Sequence, residues 1–201
     1  MKKLIITISR EFGSGGRELG KRIAEALNIA YYDKEILLEI AKKTKLAYDY
    51  IEQVVEKEPI AYYPITIARS INYYENTYVD HNIVIYTEQA NVIKELAHKS
   101  NCVIVGRCAD YILKDEKPFR IHVYSDMESK IKRCREKGEV GENLTDKQLI
   151  KQIKKIDNRR AKYYEFYTSQ KWGDKLNYDI CINTSNKSIK EVVDMILEAI
   201  K

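Results

Sequence analysis

The sequence predicts an α/β protein in three layers, a parallel sheet covered by helices on both faces. Three observations predict it. Apolar, β-rich runs recur at residues 4–8 (LIITI), 102–105 (CVIV) and 119–124 (FRIHVY), the composition of strands buried on both faces. Segments of helical period, not hairpin turns, separate them, which calls for crossover connections and parallel pairing. Finally, 201 residues with 44% hydrophobic and 32% charged side chains suit one soluble domain with a small insertion and exclude wholesale disorder.

Each element has its own signature. After the first strand, Leu19, Ile23, Ala26 and Leu27 fall on one helix face. Asp33 is placed to cap a helix carrying Ile36, Leu37, Ile40 and Ala41. Residues 45–80 hold Pro59, Pro64 and many tyrosines, and read as helices with breaks and as an insertion. A helix over 84–99 uses Ile85, Val92, Ile93 and Leu96; Gln89 interrupts that stripe and reads as a surface residue, with a place facing the site as the alternative. Ser125 and Glu128 form a capping box for a helix with Met127, Ile131 and Cys134 inward. A polar loop follows from 137 to 143. Thr145 and Gln148 form a second box, for a helix through Leu149, Ile153 and Ile156. The last strand is 179–183, and Ser188 with Glu191 caps a final amphipathic helix.

Charge and cysteine usage narrow the function classes. The net charge of +5, from 35 Lys+Arg against 30 Asp+Glu, is a modest excess that fits an anionic small molecule. Without a basic tract or a recognised binding motif it argues against nucleic acid. Cys102, Cys108, Cys134 and Cys181 lie far apart, so neither a zinc site nor a disulfide framework is expected. The start, MKKLIITIS, is too short for a signal peptide or a membrane span, and a cytoplasmic location is the default expectation. The 16 tyrosines read mainly as packing and surface; those within 60–78 fit a homodimer surface or the wall of the insertion.

The chemistry centres on SREFGSGGRE, residues 9–18. A strand, a glycine-rich turn and a helix start make an anion-binding geometry, because the turn aims backbone N–H groups inward and the helix start adds positive potential. Arg10, Gly13, Ser14, Gly15, Gly16, Arg17 and Glu18 form the candidate loop. The signature G-x-x-x-x-G-K-[ST] is not met: one register puts Arg17 at the lysine and Glu18 at the hydroxyl, and the other lacks both. A guanidinium can replace the lysine as a phosphate ligand. Ser9 and Ser14 are the candidates for the missing magnesium-facing hydroxyl. Arg107, just beyond a buried strand, and Arg159 and Arg160, on the long helix, are further phosphate-ligand candidates. Arg133 and Arg135 flank the polar loop and read as surface charge, with closure over the site as the alternative. Trp172 reads as a packing anchor, and His81, His98 and His122 carry no assigned role.

The segments ISREFGSGGRELG (8–20), YYDKEIL (31–37), VIVGRCADYIL (103–113) and the run from 156 to 185 together resemble the cytidylate kinase-like group of the nucleoside monophosphate kinases. That resemblance implies a P-loop fold with five parallel strands, a core of 1–33 and 81–201, a helical acceptor-binding insertion at 34–80 and a lid at about 137–145. It implies ATP and Mg2+ as cofactors, and a nucleotide or other phosphorylated small molecule as partner. Arg17, Arg107, Arg159 and Arg160 take catalytic roles, and Asp33, Arg107 and Asp110 contact the acceptor. The family's G-R-D motif is Gly106-Arg107-Cys108 here, with Asp110 as the nearest acid, and a second arginine after the lid falls on Tyr163. The metal ligands stay unassigned. The implied activity is phosphoryl transfer from ATP to a pyrimidine nucleotide or a related small acceptor; the alternative is a nucleotide- or phosphate-binding module with little turnover.

Overall fold

A computed structural model describes residues 3–56, 76–138 and 144–200 of the chain. Its elements in order are β1 (Ile5–Arg10), α1 (Gly16–Leu27), β2 (Ala30–Tyr32), α2 (Glu35–Thr44), α3 (Tyr48–Glu56), α4 (Asn76–Lys99), β3 (Cys102–Val105), α5 (Ala109–Ile112), β4 (Phe119–Tyr124), α6 (Met127–Lys137), α7 (Asp146–Thr168), β5 (Ile180–Asn183) and α8 (Ile189–Ile200). The five strands form one sheet in the order β2-β3-β1-β4-β5. Every pairing is parallel, with Ile6 opposite both Val103 and Phe119.

Strand alternation divides the apolar residues between two faces. Ile6, Ile8, Val103, Val105 and Val123 pack with Leu19 and Ile23 of α1 and Val192 and Ile196 of α8. Ile5, Cys102 and Ile104 face the other way, onto Ile36, Ile40, Ile51 and Ile93 of α2, α3 and α4. Each such isoleucine, fully enclosed, contributes about 1.5–3 kcal/mol by leaving water. The connection leaving β1 runs to the β3 side and the one leaving β3 crosses to β4 on the other, so a crevice opens beyond the carboxyl end of β1, the general ligand position in open parallel sheets.

Two of the expected boxes are present. Thr145 accepts from the Gln148 amide while Gln148 accepts from the Thr145 amide, and Ser188 and Glu191 bond reciprocally at the start of α8. Several expectations need correction. β2 is a strand of three residues, too short to show a period. Asp33 does not cap α2: Lys34 holds the N-cap position without a side-chain bond, and Glu35 reaches back to the Asp33 amide at 2.9 Å. The α6 cap is Asp126, one residue later than expected, accepting from the Ser129 amide at 2.7 Å. On that helix Cys134 is buried, but Met127 and Ile131 only partly so. α4 begins at Asn76, ahead of residue 84. Residues 57–75, with both prolines of the insertion, lie outside the described part, as do residues 139–143 of the expected lid and much of the tyrosine-rich stretch 60–78 that reads as a homodimer surface or the wall of the insertion.

Candidate functional site

The loop between β1 and α1 is built by glycine at two levels. Gly13 and Gly15 have φ of +73° and +82°, which side-chain-bearing residues seldom adopt. Gly16 is needed for space, since a Cβ there would lie 2.5 Å from the Cβ of Arg10. Gly15 is the N-cap of α1 and offers no capping side chain, so the first-turn amides keep their capacity for an anion. Both candidate hydroxyls are committed elsewhere. Ser14 donates to the Glu11 carbonyl at 2.8 Å. Ser9 accepts from Trp172 Nε1 at 2.9 Å and lies 3.1 Å from His122 Nδ1.

Arg10 ends β1, and its side chain is enclosed, 14% exposed. Its guanidinium lies where a Cβ on Gly106 would fall. Burial first, then the Arg160 cation, pushes its pKa down to about 9, against the pull of Asp33 and with smaller effects from Arg107 and Arg17. It remains charged at neutral pH. Arg17 lies on Asp33, with Nε 2.7 Å from Oδ2. Arg107 follows Gly106 in a run of three left-handed residues, with φ of +76°, +59° and +55° through Cys108, a costly backbone that tends to mark functional turns. Its Nε approaches the Asp33 carbonyl at 3.4 Å, and its own carbonyl accepts from Gln89 Nε2 at 3.0 Å. Gln89 is therefore buried, correcting its expected surface place; Tyr163 donates to its other end at 3.3 Å.

α7 supplies the remaining arginines. Arg160 Nη1 donates to the Arg10 carbonyl at 3.1 Å, with its guanidinium 5.7 Å from the Phe12 ring centre. Arg159 lines the same cleft. Asp110 is buried at the base, accepting from Tyr164 at 2.7 Å; burial raises its pKa and that bond opposes the rise.

Two adjoining cavities result. One is walled by the loop 11–16, Glu18, Arg133 and Lys137. The other is walled by Asp33, Arg107, Asp110, Arg159 and Trp172. Arg10, Arg17 and Arg160 belong to both. The first fits phosphate groups, with backbone amides, cations and two carboxylates that are both paired, Glu11 with Lys130 at 2.8 Å and Glu18 with Arg22 at 2.8 Å and with Lys137. For Mg2+ the described residues offer no cluster of three metal-binding side chains, and the hydroxyls of Ser9 and Ser14 are engaged. Mg2+ at such sites takes most ligands from phosphates and water.

Three features lie beyond what the sequence predicts. Arg133 is not mere surface charge: it donates to Ser125 Oγ at 3.2 Å and to the Thr184 carbonyl. Lys130 is a buried ammonium between Glu11 at 2.8 Å and Asp157 at 2.9 Å, and Asp157 also accepts the Phe12 amide at 2.6 Å. These bonds fasten the loop to α6 and α7. The available signal was spacing, since Lys130, Arg133 and Cys134 fall on one helix face. His122, without an assigned role in the sequence, is enclosed against Ser9 and Tyr178.

The model of the cytidylate kinase-like family matches residues 5–186. An uncharacterized protein from Eubacterium ventriosum is 32% identical over 98% of each chain, with a TM-score of 0.71. Shikimate kinase from Bacteroides thetaiotaomicron aligns over 98% of each chain at 14% identity and a TM-score of 0.57. Shikimate kinase from Acinetobacter baumannii, in complex with shikimate, aligns over 98% of this chain and 93% of its own, at 17% identity and a TM-score of 0.52. Among curated proteins no relative matches. The last two likenesses show the fold alone, a kinase-like P-loop fold. No helix of the described residues is long and apolar enough to cross a membrane.

Proposed function

This chain belongs to the cytidylate kinase-like family, and we propose that it is a phosphotransferase moving the γ-phosphoryl group of ATP to a nucleotide or related small phosphorylated acceptor. One observation carries the reading: a phosphate-fitting cavity and a second, arginine-lined cavity share Arg10, Arg17 and Arg160 as a common wall. Phosphoryl transfer demands positioning and charge neutralisation between two bound molecules rather than covalent chemistry. A shared cationic wall supplies both.

In this reading the amides of the 13–16 loop hold the donor phosphates, with Arg10 and Arg160 on the transferring group. Arg107 and Arg159 bind the acceptor's anionic group, and Asp33 and Asp110 shape its cleft. Mg2+, when bound, would neutralise phosphate charge. Residues 137–145 would form the lid, and 34–80 the acceptor-side insertion. A second reading, a binding module with little turnover, has its own support in the missing lysine and the committed hydroxyls of Ser9 and Ser14.

ADP release from ATP and Mg2+ separates the two. It is measured alone and with CMP, dCMP, UMP, AMP, GMP and a set of phosphorylated sugars and polyols. Release raised well above the ATP-only rate by an acceptor is expected. Tight ATP binding with no acceptor-dependent release across the set supports the binding module.

A further inference from the structure

α7 is charged on two sides, and only one of them belongs to the site. Its inner side places Leu149 and Ile153 in the core and turns Asp157, Arg159 and Arg160 to the loop and the cleft. Its outer side is lysine. Lys147, Lys151 and Lys155 follow at intervals of four, with Lys154 beside them, and all are exposed; this spacing puts them in one stripe along the helix. Exposed cations elsewhere meet a carboxylate: Lys21 with Glu25, Lys42 with Glu39, Lys43 with Glu95 and Arg135 with Asp146. Among the described residues no carboxylate pairs with Lys147, Lys151, Lys154 or Lys155. Unrelieved charge of one sign on a rigid helix draws a polyanion.

The stripe runs on into apolar surface. Phe166 lies about three turns beyond Lys155 on nearly the same line and is 50% exposed. Tyr167 joins it to α4. The Tyr167 ring meets Phe166 edge-on with centres 4.9 Å apart and stacks on Tyr86 at 3.9 Å, and its hydroxyl donates to the Asn82 carbonyl at 3.3 Å. Beside Asn82, Ile83 and Val84 are 54% and 48% exposed. Lysines leading to exposed aromatic and aliphatic side chains suit a lipid interface, where cations meet headgroups and apolar groups enter the acyl boundary. The face suits a nucleic acid less well. α7 packs against α3 and α6, so it lies along the body and does not project into a groove. The stripe holds no arginine to fork onto a base edge and no ring between its lysines for stacking.

We propose that the outer face of α7 docks this protein on an anionic lipid surface, with Lys147, Lys151, Lys154 and Lys155 over the headgroups and Phe166 at the acyl boundary. None of these residues lines either cavity of the site. Docking is therefore independent of the phosphotransferase reading.

The test uses the full-length protein and vesicles of phosphatidylcholine, alone or with phosphatidylserine as about a third of the lipid. Bound protein is measured by flotation as salt is raised. Binding to the anionic vesicles only, falling as salt shortens the reach of charge, is expected. A lysine at such a surface strengthens binding roughly fivefold, so changing all four to Gln should weaken it at least ~100-fold. Phe166→Ser should weaken the binding that salt leaves in place. Both variants should keep the wild-type urea midpoint and ATP affinity. No binding to anionic vesicles at low salt would overturn the proposal, as would equal binding to phosphatidylcholine alone or binding that the four-lysine variant retains. Duplex DNA or RNA held more tightly than the anionic vesicles, through the same lysines, would give the stripe to a nucleic acid. A dimer in solution that Phe166→Ser dissociates would give the apolar end to a second copy of this chain. Either result would overturn the lipid assignment.

Discussion

At the scale of single residues, the proposed function depends on which arginine bears on the phosphates. Arg17, the candidate stand-in for the lysine, is 47% exposed and held by Asp33, whereas Arg10 is enclosed between both cavities. Arg10→Gln is therefore expected to weaken ATP binding about 10–100-fold, the range for losing a charge-assisted contact, and Arg17→Ala by less; titration calorimetry on both variants checks the order. Gly106→Ala should mimic Arg10→Gln, because the added methyl overlaps the Arg10 guanidinium. The glycines and arginines of this site were legible because local sequence fixes them. Their partners were not. Asp33 has the sequence signature of a cap because a helix follows it, and only the folded sheet brings Arg10 and Arg17 to its carboxylate. Gln89 has that of a surface residue, and only the fold brings its amide to the carbonyl of Arg107, 18 residues on.

At the scale of elements, α6 and α7 hold the loop through Lys130 and His122 stiffens the strand beside it. Lys130→Met leaves Glu11 and Asp157 without their shared cation and is expected to cost about 3–5 kcal/mol, read as a lower urea midpoint. His122 is buried on β4, and burial lowers its pKa to about 4. The unfolded chain, near 6.5, binds this proton more readily, so stability is present above that value and is lost as pH falls from about 6.5 through 4. The gap corresponds to about 3 kcal/mol. Urea midpoints at pH 7 and 4.5 should therefore differ more in the wild type than in His122→Gln. The capping boxes at Thr145 and Ser188 were legible because side chain and amide are three residues apart. The α6 cap falls one position beyond the expected one, since Ser125 offers the same hydroxyl chemistry as a cap and Asp126 takes the place. β2 was not legible because three residues carry no measurable alternation; its place is set by pairing with β3.

At the scale of the whole molecule, the strand order places β1 between β3 and β4, and the loops after these three strands meet over its carboxyl end. That architecture was foreseeable from apolar runs separated by helical segments. The division into two cavities with a common cationic wall was not, because it depends on residues 10, 17 and 160 converging from three elements. The single tryptophan, Trp172, lines the second cavity and not the loop cavity, so its emission reports occupancy of the second without a label. The most direct measurement is titration of the protein with ATP and with AMP in Mg2+, read by calorimetry, with Trp172 fluorescence marking ligand that enters the second cavity. A wall of arginines built for the terminal phosphates predicts that ATP binds about 10–100-fold more tightly than AMP, and that Arg160→Gln removes most of the difference. Equal affinities for ATP and AMP, or a preference untouched by Arg160→Gln, would contradict the shared wall as the seat of phosphoryl transfer.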